Sequence, residues 1–320
     1  MIQTVTGPIS VDGLGRTLMH EHLFIAFPGA WFDPFATFDR PALIDEAVRR
    51  LVKLRVDYGV RTFVDPCPIE LGRDVLLMKE VSEKSGMQII CTTGFYYQER
   101  GLPAYWRART VDEIAELYIR EINHGIGTTG VKAGAIKVST GAPGITEQER
   151  KFVGAASIAQ KVTGVPIITH TTEGCAGPEQ QELFAAGGVF AHRCLIGHCC
   201  ANPDHAYHQR IVERGSYIGF DQVGYDHIQR DEIRAGSVAK LVRDGFRDQI
   251  ILSMDCACGI LGRPTTHQSR GIFLAHTYMF TDFIPMLYAH GVSQADVQSI
   301  LLDNPRRFFA GELSSKRVAD

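Results

Sequence analysis

Leu18-Met19-His20-Glu21-His22 is an apolar run that ends on two histidines, and the same figure returns along the chain. Lys137 sits in Gly134-Ala135-Ile136-Lys137-Val138, His170 closes Pro166-Ile167-Ile168-Thr169-His170, His198 closes Cys194-Leu195-Ile196-Gly197-His198, and Asp255 closes Ile250-Ile251-Leu252-Ser253-Met254-Asp255. One such residue carries little information, because a histidine at a strand end is usually a hydrogen-bonded structural residue and a strand lysine usually an edge or snorkelling one. Several runs that each bring a metal-type or ionisable group to the carboxyl end describe a barrel with a buried metal centre.

Outward from these runs, short apolar segments alternate with amphipathic ones. The first strand, 17–22, is followed by a Pro/Phe-rich loop and by Asp39-Arg40-Pro41, which opens a helical pattern through Ile44, Val48, Leu51 and Leu54 up to Gly59. Strands are expected at 61–65, 88–93, 134–139, 165–171, 194–199, 217–220 and 250–254, with helical sequence between each and the next and a further helix around 277–290. Thr110 with Glu113, and Thr146 with Glu149, have the spacing of capping boxes. Eight strand-helix units in 320 residues imply a closed (β/α)8 TIM barrel with a parallel sheet. An open doubly wound sheet would need a glycine-rich phosphate loop after its first strand, and Met19-His20-Glu21-His22-Leu23 contains no glycine. No linker or composition shift interrupts the pattern, so residues 1–320 read as a single domain with a frayed tail over 314–320.

Composition excludes several classes. With 45% hydrophobic and 22% charged residues and a formal net charge of -3, the chain lacks the basic field that attracts nucleic acid. No apolar stretch approaches a membrane span, and the amino terminus lacks the basic and apolar regions of a signal peptide, so a cytoplasmic location is expected. The eight cysteines fall in apolar strands or as Cys199-Cys200 and Cys256-x-Cys258; no CxxC pair exists, and reduced core thiols are the expected state.

The chemistry follows from residue type. His20 and His22, two apart on a strand, point to one face and can grip one ion, while Glu21 points away. Phe24 stands where the second histidine of an H-E-x-x-H zinc-protease pattern would be. Lys137 amid Ala-Ile-Lys-Val faces a desolvation cost that lowers its pKa, and a neutral amine can add carbon dioxide to give a carbamate able to bridge two metals. Asp255, His170 and His198 would complete two coordination spheres, and two metals a few Å apart activate a water between them. A mixed nitrogen and oxygen site accepts several divalent ions; zinc is the default, with cobalt, manganese or iron as alternatives. The remaining histidines, at 124, 192, 205, 208, 227, 267, 276 and 290, read as structural or solvated.

The chain resembles the phosphotriesterase family of the amidohydrolase superfamily from Val5-x-Gly7 and Leu14-Gly15-x-Thr17-Leu18-Met19-His20-Glu21-His22 to Asn304-Pro305-x-Arg307-Phe308-Phe309. The resemblance implies that His20, His22 and Asp255 bind the more buried metal and His170 and His198 the more exposed one. Carbamylated Lys137 and a hydroxide would bridge both, with Asp255 as general base. It also implies a homodimer. Thr93-Gly94-Phe95-Tyr96-Tyr97 is similar to the lactonase branch, in which a tyrosine matching Tyr96 stands beside the exposed metal and the substrate is a cyclic ester, such as an N-acyl-homoserine lactone. Organophosphate triesters would then be hydrolysed as a side reaction.

Three positions depart from the family pattern. Gln222 follows Asp221 where relatives carry arginine or histidine, Ala201 replaces an aspartate so that a proton relay is either missing or rebuilt from Asp204, and Met254 precedes Asp255 where a polar residue is common. Together they imply a less polar pocket rim. The segment Gly259-Ile260-Leu261-Gly262-Arg263-Pro264 is either a substrate-covering loop or an ordinary connector. The expected function is a lactonase; the alternatives are a hydrolase of another ester, amide or phosphotriester, and a metal-bound binding protein without catalysis.

Overall fold

A computed structural model describes residues 1–262 and 270–312. The expected tail at 314–320, His267, and Arg263-Pro264 of the segment after strand eight lie outside the described residues. Eight parallel strands form one continuous sheet: β1 Arg16–Leu18, β2 Val60–Asp65, β3 Gln88–Gly94, β4 Ala135–Thr140, β5 Ile167–Thr171, β6 Cys194–Ile196, β7 Tyr217–Phe220 and β8 Ile250–Leu252. Each pairs in parallel with the next in chain order, the order that right-handed βα units generate.

The seam between β8 and β1 closes by other means. The first run breaks after Leu18 and resumes as a strand, His22–Ala26, which pairs in parallel with Ala257–Leu261. Between these segments the Asp255 N–H donates to the His20 carbonyl at 2.9 Å and the His22 N–H to the Cys256 carbonyl at 2.7 Å. Gly259, Ile260 and Leu261, read from sequence as loop or connector, therefore extend the barrel wall.

Helices start where the sequence places them. The helix Arg40–Tyr58 begins after Asp39, whose side chain accepts from Ala42 N–H, and ends at left-handed Gly59. Both expected capping boxes form, at Val111–Asn123 and Glu147–Thr163. Glu149 does more than cap: its Oε1 also accepts from Gln98 and Gly141 N–H, which ties together the loops leaving β3 and β4.

The pleat separates two cores. Outward-facing residues such as Phe63, Ile89, Ile136, Ile167, Ile218 and Ile250 pack under the helices. Inward-facing Val64, Ile90, Ala135, Ile168, Leu195, Tyr217 and Ile251, with Met19 and with Phe308 of the helix Asn304–Ala310, plug the amino-terminal end of the barrel. Two residues further along the same inward faces stand Lys137 and His170, so the alternation that builds the plug also carries these polar groups into the opposite end. Among the described residues no helix is long and apolar enough to cross a membrane.

Candidate metal centre

All seven residues singled out from sequence lie at the carboxyl-terminal end of the barrel or in its upper layer. His20 follows β1 and His22 opens the seam strand, their rings 5.7 Å apart at 76°. Lys137 lies inside β4 rather than at its end, almost fully buried, with Nζ 3.1 Å from His20 Nε2. The His198 ring is 4.7 Å from that of His20 and 4.5 Å from that of His170. Asp255 closes the cluster: Oδ1 is 3.2 Å from His22 Nε2 and 3.8 Å from His20 Nε2, and Oδ2 is 3.8 Å from His198 Nε2. Both His198 (φ 59°) and Asp255 (φ 55°) adopt left-handed backbone, a costly conformation that turns their side chains over the barrel mouth. Gly94 makes room for this layer, since a Cβ there would stand 2.0 Å from the Lys137 carbonyl oxygen.

Hydrogen bonds fix which histidine nitrogens are free. Buried Asp221 takes His20 Nδ1 at 2.9 Å on one oxygen, and His198 Nδ1 at 3.1 Å and His198 N–H at 2.7 Å on the other. Asp65 Oδ1 takes His22 Nδ1 at 2.9 Å, and its oxygens also accept from Leu23 and Cys67 N–H. In these three rings Nδ1 carries a proton toward its carboxylate, and Nε2 is the atom turned to the centre. His170 is reversed. Its Nε2 is 3.0 Å from Thr172 Oγ1, whose own proton goes to the Thr140 carbonyl, so the ring donates through Nε2 and its lone pair is on Nδ1.

Electrostatics agree for the buried bases. Burial, then the nearby Lys137 ammonium, pushes His20 down to about 3. Burial and the neighbouring His198 hold His170 well below its ordinary range. Lys137 itself is pushed down to about 8, by burial. For Asp255 burial works upward, but His198 and His22 outweigh it and keep the carboxylate well below the usual range. His22 goes the other way: burial opposes its charge, and Asp255 and Asp65 overcome it, so in the metal-free chain it stays cationic. A divalent ion at this position would replace that proton as the counter-charge to Asp255.

The donor set fits divalent metal. His20, His198 and Asp255 offer ligand atoms within 4.8 Å of one another. His22, Asp65 and Cys67 also cluster, but that group is already satisfied: His22 Nδ1 and Asp65 are bonded to each other, and the Cys67 thiol donates to backbone carbonyls, including that of Leu71 at 3.4 Å. It is a supporting layer.

Tyr96 approaches His170 edge-on at 4.9 Å, and its N–H is held by Glu70 Oε1 at 2.8 Å. Tyr97 stacks on His170 at 5.2 Å and 19° beside Tyr96, a neighbour that sequence reasoning missed. Asp65 and Asp221 were missed as supports too, although each ends an apolar run in the manner of the ligands.

The departures sort differently in space. Gln222 donates through Nε2 to Asp255 Oδ2 at 3.2 Å, and the Tyr225 hydroxyl donates to the Asp255 carbonyl at 2.6 Å. Asp204 is exposed and caps the helix His205–Glu213, its Oδ1 accepting from Ala206 N–H, so it is committed elsewhere than to a relay. Met254 is fully buried in the main core and contributes nothing to the rim, which corrects the expectation of a rim made less polar there. All eight cysteines are free, six of them buried. Of the remaining histidines, His205 and His290 hydrogen-bond to the surface carboxylates Asp244 and Glu232, while His208 and His276 are buried.

Comparison with known proteins finds related sequences and structures. The profile of the Phosphotriesterase family matches residues 1–309. An aryldialkylphosphatase of Saccharolobus solfataricus is 36% identical over 94% of this chain and 97% of its own. A phospho-furanose lactonase of Mycoplasmopsis agalactiae is 30% identical, over 97% of this chain and 91% of its own. Among solved structures, a mutant PTE-like lactonase from Deinococcus radiodurans superposes with a TM-score of 0.91 at 35% identity, over 97% of this chain and 100% of that one.

Proposed function

The chain belongs to the phosphotriesterase family, and on that premise we propose that it is a binuclear metal-dependent hydrolase that opens lactones, with phosphotriester hydrolysis as a side activity. The observation that carries this reading is the convergence of four histidine rings, the Asp255 carboxylate and a buried, readily deprotonated Lys137 on one site beside Tyr96. In this reading His20, His22 and Asp255 would hold the more buried ion and His170 and His198 the more exposed one, and N-carboxylated Lys137 would supply a further ligand. When bound, two zinc ions, or cobalt, manganese or iron in their place, would supply Lewis acidity and lower the pKa of a bound water.

The chain's own residues do the rest. Asp221 and Asp65 keep three Nε2 atoms aimed inward. Tyr96, anchored through its backbone by Glu70, lies against the ring of His170 and orients the ester. Asp255 Oδ2, steadied by Gln222, accepts the proton of the attacking water and returns it to the ring oxygen as the acyl bond breaks. Water and lactone thereby give one hydroxy acid, and the carboxylate is restored.

One domain spanning the chain and a cytoplasmic homodimer complete the proposal. Free thiols throughout suit a reducing compartment. Trp31, Phe32 and Phe35, exposed at 58%, 89% and 73%, supply an apolar face of the kind a partner copy covers.

The test is a panel of lactones, including acyl-homoserine lactones, with aryl esters, amides and phosphotriesters, offered to zinc-loaded and metal-stripped protein. Lactones are expected to lead in kcat/KM by about 100-fold or more, and only with metal, as a site with better transition-state complementarity requires. Phosphotriesters in the lead would reverse the assignment. A metal-loaded chain inactive on every class would make it a binding protein.

A further inference from the structure

We infer that Glu21, the residue between the two histidines, is the positioning residue for Asp255. Alternation turns its side chain away from the metal pocket, and it is fully buried. There it spans the closing seam of the barrel. Oε1 accepts from Ser253 Oγ at 2.8 Å and Met254 N–H at 2.8 Å, and Oε2 accepts from Cys256 N–H at 3.1 Å. The two peptide N–H groups flank Asp255 on either side, and Asp255 itself donates its N–H to the His20 carbonyl. Ser253 Oγ also accepts from His20 N–H at 2.9 Å, so the clamp joins both segments that carry the buried ion's proposed ligands.

The reason for such a clamp is the backbone of Asp255. A non-glycine residue at φ 55° persists only where its surroundings over-determine it, and a left-handed turn at Asp255 within the four-residue link 253–256 between β8 and the next strand cannot do so alone. Glu21 holds both neighbours of the turn from one carboxyl group, which sets where the Asp255 oxygens stand relative to His22 Nε2 and His198 Nε2. A glutamine would present an N–H to an N–H at one of the two acceptor oxygens. A fully buried carboxyl between two metal-type histidines is otherwise an expensive choice. The inference rests on the reading of Asp255 as ligand and base.

The experiment uses full-length Glu21→Gln and Ser253→Ala chains with cobalt as the metal. Cobalt affinity is measured by chelator competition, the visible d–d spectrum is recorded, and kcat, KM and metal-free Tm are determined beside the native protein. Glu21→Gln is expected to lose about 10- to 100-fold in affinity for the more buried ion, with altered d–d bands. Its kcat should fall while KM for the lactone stays within about twofold of native. A Glu21→Gln chain with native affinity, spectrum and kcat, differing only in Tm, would overturn the inference and leave Glu21 a structural support. Ser253→Ala removes one donor to Glu21 and the acceptor of His20 N–H. It should move affinity and spectrum the same way by a smaller factor, and if Glu21→Gln does not fold, a native spectrum in Ser253→Ala overturns the inference. Affinity and spectrum need no substrate, so a chain that opens no lactone still tests Glu21, whereas a native chain that binds no cobalt removes the metal centre itself.

Discussion

Carboxylation of Lys137 should follow the free amine, and the structure fixes where that amine appears. Burial lowers the ammonium from an ordinary 10.5 to about 8. At pH 7 the free amine is then roughly 10% of the population against roughly 0.03% for a solvated lysine, a gain of about 300-fold in the species that reacts with carbon dioxide. At a fixed concentration of dissolved carbon dioxide, the rate should rise about tenfold per pH unit up to pH 8 and level off above it. The same shift acts on stability. Between pH 8 and 10.5 the unfolded chain keeps this proton and the folded one has released it, so the metal-free fold gains stability as pH rises through that window. The gain is about 3 kcal/mol in total, and below pH 8 the full penalty applies. Metal-free protein exposed to 13C-labelled carbon dioxide at each pH, then mixed with zinc, reports carbamate by NMR and recovered activity by assay. A rate that keeps climbing to pH 10, or activation indifferent to carbon dioxide, would refute the reasoning.

Other substitutions probe separate parts of the site. Asp65→Ala frees His22 Nδ1 and should cost about 10- to 100-fold in metal affinity with the fold retained, measured by chelator competition. Tyr96→Leu keeps the ligands and should raise KM several-fold with kcat within about threefold, so an equal fall in kcat would argue against a binding role. Gly94→Ala sets a Cβ against the Lys137 carbonyl at φ 121° and should destabilise by about 4 kcal/mol or more in urea unfolding; a near-native midpoint would mean that β3 and β4 can move apart.

Much of this protein is legible from local pattern. The capping boxes at Thr110 and Thr146 form as spaced, because a cap needs only residues three apart. The repeated strand-helix cadence implies the barrel, because parallel strands joined by helices have few ways to bury both faces. The metal-type residues stand out since each ends or interrupts an apolar run, where a polar group is costly and must serve some purpose. Less visible was anything whose meaning depends on a distant partner. Met254 looked like a rim residue and is core; Asp204 looked like a relay and is a helix cap. Asp221 looked like a landmark for Gln222 and holds two histidines at once.

What the sequence by itself determined was the alternation of elements and the types of group carried to the barrel mouth, since periods of 2 and 3.6 are written in neighbouring residues. What only the tertiary structure decided was how those groups are aimed. The tautomer of each histidine depends on an acceptor 2 to 201 residues away, as between His170 and Thr172 or His20 and Asp221. The placement of Asp255 depends on Glu21, 234 residues earlier in the chain (255 less 21), meeting the two peptides that flank it. Hydrogen bonds of that reach exist only after the first and last strands close on each other, so no local pattern can encode them.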